Sequence, residues 1–183
     1  DDVLAYRVQD AGGGTYHLLV VNASNREKIV AWVSKAGAVD WRVLEPFGCL
    51  EAVQDLAVQL VLESGAEEAI IAAHGSFKSP VPAAIAGRVA AAVAARGLRV
   101  GCGFIDQEPR LAGLTGFGAQ AVCLPFFAAE GGHVAKDIPA ALAEAGFQGR
   151  LLPALALDAR VPGLIAEAIR AGRGVCEGAC RWG

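Results

Sequence analysis

The sequence predicts an α/β fold: an open parallel sheet with flanking helices, preceded by an N-terminal β-hairpin/helix appendage. Three observations carry this expectation. From residue 67 onward, short apolar runs alternate with alanine-rich segments of helical length, the pattern of repeated βαβ units. Several of the helical segments have proline near the first turn or glycine just past the last, the asymmetry that helix ends favour. Two of the three histidines, His74 and His133, each follow an apolar strand-like run. In an open parallel sheet that position borders the ligand crevice.

Taken in order, Val3 to Val8 and Thr15 to Val21 read as two strands joined by Gly12-Gly13-Gly14, a hairpin signal. His17 falls inside the second strand pattern. Asn22 to Ala36 reads as a helix with Ser24 or Asn25 as its N-cap. Val39 to Leu44 reads as a strand, and Cys49 to Glu63 as a helix with apolar residues at helical spacing. Residues 1–66 make up the appendage, 67–172 the α/β domain and 173–183 a flexible tail.

Within the domain, Glu67 to Ala73 is the first strand. Ser79-Pro80 then opens a helix that runs to about Arg96, with Gly97 as its stop. Leu98 to Asp106 is the second strand, and Glu108-Pro109 starts a short helix that ends around Gly116-Phe117-Gly118. Ala119 to Phe127 is the third strand, and His133 to Ala145 a helix closed by Gly146. Gln148 to Leu155 is the fourth strand and Pro162 to Ala171 the last helix. Strands separated by such helices pair in parallel through right-handed crossovers.

Composition sets limits on function. The chain is 54% hydrophobic and only 7% aromatic, so its core is aliphatic and rich in alanine. A net charge of −3 argues against a broad nucleic-acid surface. No apolar run approaches the roughly 20 residues of a membrane span, so no membrane partner is expected and a cytoplasmic setting is the default. Methionine is absent, as in an excised or assembled chain or a sequence written without its modified methionines. Cys102 and Cys123 lie in strand-like runs, where buried thiols are common. Cys176 and Cys180 form a terminal Cys-x-x-x-Cys: part of a metal site that would need further ligands, or an ordinary tail.

The histidines carry the chemistry. Two imidazoles at one sheet edge can share a metal ion or a proton-transfer task, or be unrelated loop residues. Glu108 is either a carboxylate serving the same site or a helix-initiating acid. Asp137 stands four residues after His133, one helical turn, where it can orient the imidazole or simply face solvent. Gly75 and Ser76 allow close backbone approach and a cap for the following helix, while Gly131 and Gly132 lead into His133. Lys78, Arg110, Lys136 and Arg160 place cations in or beside these loops.

The words "AAHGSFKSP", "FIDQEPRL", "LPFFAAEGGHVAKDIPAAL" and "LLPALALDARVPGLI" occur in this order over about residues 67–171. Together they resemble the class II tetrapyrrole chelatases, the CbiX/SirB family. That family shows a strand ending in His-Gly-Ser, an acid-Pro pair, a Pro-Leu/Phe-Phe block leading to Gly-x-His and Asp-(Ile/Val)-Pro, and an (Asp/Pro)-x-Arg turn. The resemblance implies insertion of cobalt or iron into sirohydrochlorin, in cobalamin or siroheme biosynthesis. The divalent metal is then a substrate, and no organic cofactor is expected. His74 and His133 become the metal-presenting ligands and proton acceptors, with Glu108 as a third catalytic group. Gly75, Ser76, Gly132, Lys78 and Lys136 become the residues that hold the carboxylate-rich macrocycle.

One departure stands out, because relatives commonly carry arginine after His-Gly-Ser where this chain has Phe77. It bears on substrate affinity more than on metal chemistry. The matched region equals one half of the two-lobed chelatases, and short members pair as homodimers, so a homodimer is expected. The alternative reading is a non-catalytic metal- or tetrapyrrole-binding module, or an assembled chain that keeps the fold. At the other end, "DDVLAYRVQDAGGGTYHLLVVNASNREKIVAWV" is similar to the folate-binding segment of aminomethyltransferases, the glycine-cleavage T-proteins. That likeness implies a folate role for Asp1 or Asp2 with Asn22. The segment is only a fraction of such an enzyme and is expected to be structural.

Overall fold

The computed structural model describes all residues except 1, 2, 10, 11, 22–25, 36–41, 177–179 and 183. They fall into two compact units, Asp1–Val43 and Leu44–Gly183. In the first, β1 (Val3–Gln9) pairs antiparallel with β2 (Thr15–Val21), Val3 opposite Val21 and Gln9 opposite Thr15. His17 is an exposed strand residue opposite Arg7. Helix α1 (Arg26–Lys35) follows. Asp1, Asp2, Asn22, the proposed caps Ser24 and Asn25, and the first half of the strand expected at Val39 to Leu44 lie outside the described residues.

The second unit holds α2 (Glu51–Glu63), β3 (Glu68–Ala73), α3 (Val81–Ala94), β4 (Arg99–Phe104), β5 (Val122–Pro125), α4 (Ile138–Glu144), β6 (Arg150–Leu151) and α5 (Val161–Ala171). Its four strands are all parallel and run in the order β4-β3-β5-β6. Side chains alternate between sheet faces, and a central parallel strand is covered on both, so it reads as a continuous apolar run. In β3, Ala69, Ile71 and Ala73 join a core with Val53, Leu56 and Val61 of α2, Val89 of α3 and Val161 of α5. Ile70 and Ala72 face the opposite layer, with Leu111, Val134, and Ile138 and Leu142 of α4. Among the described residues, no helix is long and apolar enough to cross a membrane.

Several expected boundaries need correction. The break between units falls at Val43/Leu44 rather than after residue 66, because α2 packs into the sheet's own core. The helix expected from Glu108-Pro109 is a single 3-10 turn, Leu111–Gly113. This stretch is pinned to β4 instead: Phe104 N–H donates to the Pro109 carbonyl at 3.0 Å. Gly103 makes room for it, since a Cβ there would stand 2.8 Å from Leu111 Cα. The fourth strand keeps only two paired residues of Gln148 to Leu155; Pro153 has no N–H with which to extend the ladder. The tail is packed in its described part. Leu44 bridges Gly174, Arg181 reaches the Glu45 carboxylate at 2.6 Å, and Trp182 Nε1–H donates to the Cys49 carbonyl at 3.0 Å.

Strand order fixes where a ligand crevice opens. From β3 the chain crosses to β4 on one side, then returns past β3 to β5 on the other. The loops leaving β3 and β5 therefore diverge, and this switch point leaves a gap at the carboxyl edge of the sheet.

Candidate functional site

His74 is the residue after β3, and His133 begins the helical segment after β5, so each borders that gap. Their Nε2 atoms are 3.2 Å apart and the rings meet edge to face, with centroids 4.6 Å apart. Phe127 lies 6.5 Å from both ring centroids and forms an apolar wall beside them. The two side chains are 37% and 42% exposed, open enough to receive a ligand.

Each ring is oriented through its other nitrogen. His133 Nδ1 lies 2.6 Å from Asp137 Oδ2, the contact its one-turn spacing anticipates. The turn from His133 to Asp137 is π-helical, with Ile138 N–H bonded to the His133 carbonyl. Pro139 accounts for the widening: its ring would strike the carbonyl of residue 135 in a regular α-helix. His74 Nδ1 lies 3.0 Å from the Gly75 carbonyl and 3.5 Å from Asp106 Oδ2. These partners are acceptors only, which favours the tautomer with the proton on Nδ1 in both neutral rings. Both Nε2 atoms are then acceptors only 3.2 Å apart, an arrangement that a cation bound by both nitrogens relieves. Among the described residues, no group of three or more His, Cys, Asp or Glu is arranged to hold a metal. The pair could offer two nitrogens to one ion.

The remaining predicted residues sort differently. Gly75 is needed where it stands: its φ is +76°, in the left-handed region, and a Cβ would meet Gln107 Cγ at 2.5 Å. Ser76 does not cap α3, which has no side-chain cap. Its hydroxyl accepts from Lys78 N–H at 3.1 Å, and its own N–H donates to Gln107 Oε1 at 2.6 Å. Gly132 immediately precedes the π-helical turn, in helical conformation. Lys78 is exposed on the loop after β3 and Lys136 on the π-helical turn that carries His133. Glu108 is strongly exposed and paired with Arg110: its carboxylate accepts Arg110 N–H at 3.1 Å and stands 3.6 Å from Arg110 Nε.

Arg160 is already engaged by two acids, Asp158 at 2.7 Å and Glu63 at 2.8 Å, which removes it from the cations expected at the crevice. Hydrogen bonding to Arg160 holds both carboxyls below their usual range. A concavity of about 380 Å³ lined by Leu60, Ser64, Arg150, Leu152 and Leu157 contains neither histidine.

Two residues of the site escaped sequence reasoning. Asp106 reaches His74 from the neighbouring strand's loop, and the signal was the strand register that places Ala73 opposite Phe104. Gln107 closes over Gly75, and nothing local announces it.

Comparison with known proteins bears on the fold and the family. The CbiX family profile matches residues 68–171. Among solved structures, one similar chain is CbiX, described as the terminal enzyme for biosynthesis of siroheme in denitrifying bacteria. It is 35% identical with a TM-score of 0.75, over 83% of this chain and 71% of that one. SirB from Bacillus subtilis, solved with Fe3+, is 16% identical with a TM-score of 0.58, over 85% of this chain and 68% of that one, and supports the fold alone. No curated protein matches the chain. A profile spanning more than half of the sequence, together with a structural relative at 35% identity, makes the chain a member of the CbiX family of class II tetrapyrrole chelatases.

Proposed function

We propose that the protein inserts a divalent metal, cobalt or iron, into sirohydrochlorin, and that His74 and His133 present the metal. The observation that carries this reading is the pair of Nε2 atoms 3.2 Å apart at the sheet's switch point. With imidazole–metal bonds of about 2.0–2.1 Å, that separation subtends an angle of roughly 100° at the ion, suited to two adjacent coordination positions. Neutral imidazole suits first-row divalent metals, and two ligands leave the other positions to water and then to the macrocycle.

Insertion exchanges one M2+ for two pyrrole N–H protons. As the metal passes to the macrocycle nitrogens, the two Nε2 atoms that release it become free to take those protons, so charge and atoms balance. Asp106 and Asp137 favour this step, since a carboxylate at Nδ1–H stabilises the imidazolium that forms. Lys78 and Lys136 supply positive charge for the substrate's carboxylates. Glu108 serves from the rim through Arg110 rather than at the metal. The sheet edge offers one wall of a cleft, and a flat macrocycle is best held from two sides, which supports a homodimer with the histidine loops at its interface. A cytoplasmic setting completes the reading.

The test is an absorbance assay of metal insertion into sirohydrochlorin with Co(II) and Fe(II), corrected for the uncatalysed rate. His74→Ala and His133→Ala should each lower the rate by about a hundredfold or more, in line with the loss of a metal ligand or general base. Stability should change by no more than about 1 kcal/mol, because half-exposed loop residues contribute little packing. Unchanged rates in both variants would refute the mechanism. Tetrapyrrole binding without turnover in the unaltered chain would favour a non-catalytic binding module.

A further inference from the structure

Phe77 is 77% exposed, three residues beyond His74. A lone exposed apolar residue is ordinary on a protein surface, so exposure by itself decides nothing. Two further observations do. First, the ring has a cationic neighbour: the Arg110 guanidinium carbon lies 5.8 Å from its centroid, within the range of a cation–π contact. Arg110 is itself held from behind by the Ile105 carbonyl and the Glu108 carboxylate. Second, the loops carrying the two residues are laced together beside the histidines. Asp106 N–H donates to the His74 carbonyl at 2.9 Å, and Ser76 N–H to Gln107 Oε1 at 2.6 Å. The tight fit of Gly75 against Gln107 fixes the loop between His74 and Phe77.

Building on the chelatase reading, we infer that Phe77 and Arg110 form a substrate-positioning rim, Phe77 stacking on the face of the tetrapyrrole while Arg110 meets a peripheral carboxylate. A flat π surface fringed with carboxylates is the chemistry that matches an exposed aromatic ring paired with a guanidinium. The ion pair that Arg110 gives up is exposed and therefore weak, so exchanging Glu108 for a substrate carboxylate costs little. Lys78, the next residue, adds a second cation on the same loop. Neither rim residue touches the reacting nitrogens, so both act on affinity and specificity rather than on chemistry.

The experiment titrates metal-free sirohydrochlorin, by absorbance and fluorescence quenching, into the full chain and its Phe77→Ala, Phe77→Trp and Arg110→Gln variants. Insertion kinetics and Co(II) binding alone are measured in parallel. Phe77→Ala should weaken macrocycle binding and raise KM by about tenfold, with kcat changed less than about threefold. Phe77→Trp should restore binding. Arg110→Gln should reduce the preference for the free acid over a carboxylate-esterified macrocycle, Lys78 and Lys136 keeping the remainder. Co(II) binding should be the same in all four proteins. Unchanged macrocycle affinity in both Phe77→Ala and Arg110→Gln would overturn the rim, as would an equal loss of Co(II) binding. Failure of the chelatase reading looks different: the unaltered protein would then insert no metal, whatever the variants did to binding.

Discussion

At the amino edge of the sheet, Glu68 at the start of β3 gives each carboxylate oxygen a partner: Arg99 Nε at 2.6 Å and the Gly118 N–H at 2.6 Å. Arg99 donates onward to the Gly116 carbonyl at 2.5 Å and lies 4.2 Å over the Phe117 ring. At the carboxyl edge, His74 and His133 each satisfy one nitrogen and turn the other toward its twin. The same strands carry both arrangements. One edge closes its polar groups on themselves and only holds the loops in place. The other leaves two Nε2 atoms facing only each other, 3.2 Å apart, as the proposed metal-presenting pair would. Polar satisfaction therefore separates the closed edge of this sheet from the edge proposed to work better than residue type does.

Substitutions at the two edges should separate accordingly. The largest effect beyond the histidines themselves is expected at their carboxylates. Asp137→Asn should lower insertion by about 10–100-fold, the usual range for a group that orients a metal-binding histidine. Asp106→Asn should cost less, because its oxygen stands at 3.5 Å rather than 2.6 Å. Thermal melting should barely move in either variant. Equal rates in both and in the unaltered chain would show that the acids do not orient the rings.

At the amino edge the pattern reverses. Arg99→Ala should leave insertion unchanged and act on stability through pH. The Arg99 hydrogen bond, and after it the Gly118 N–H, hold the Glu68 carboxyl below its usual range. A depressed folded value means that the stabilisation is present above the unfolded pKa of about 4.3 and is lost as pH falls through the folded one. Melting curves from neutral to acid pH should therefore fall less steeply in Arg99→Ala than in the unaltered protein. A parallel pair of curves would exclude the linkage.

The smallest effect concerns the thiols. Burial pushes Cys102 up to about 11 and Cys123 up to about 12. Both should stay unreactive toward a thiol reagent at neutral pH until the protein unfolds, while exposed Cys176 reacts at once. Above about pH 9 the unfolded chain can ionise these thiols and the fold cannot, so stability should decline as pH rises. Fast labelling of Cys123 in the folded protein, read by mass spectrometry, would contradict its burial.

How far the sequence revealed this site depended on the distance over which each contact acts. His133 and Asp137 were legible because both lie on one helical turn, and chain spacing alone brings them together. The alternation of strands and capped helices likewise placed His74 and His133 at one edge. Asp106 was hidden, because its partnership with His74 depends on the register between β3 and β4 rather than on any local word. The segment after Glu108-Pro109 was misread as a helix because an acid followed by proline is a common helix start. The countersignal was Gly101 and Gly103 in β4, positions where a side chain would collide with Phe117 and Leu111. Arg160 looked like a cleft cation until the fold brought Glu63 beside it from α2, far away in sequence.

The antiparallel bridge between Leu44 and Gly174, reinforced by the Glu45 N–H on the Arg173 carbonyl at 3.0 Å, has a further consequence. It brings the start of the α/β unit and the residues just after α5 to one spot, so the stretch from Leu44 to Gly174 begins and ends at neighbouring points. Domains with neighbouring ends accept insertion into another protein, or rejoining of their ends and opening elsewhere, without a change in their core. The CbiX-type unit here has the geometry of an interchangeable part, one that can be spliced into a longer polypeptide at a single seam.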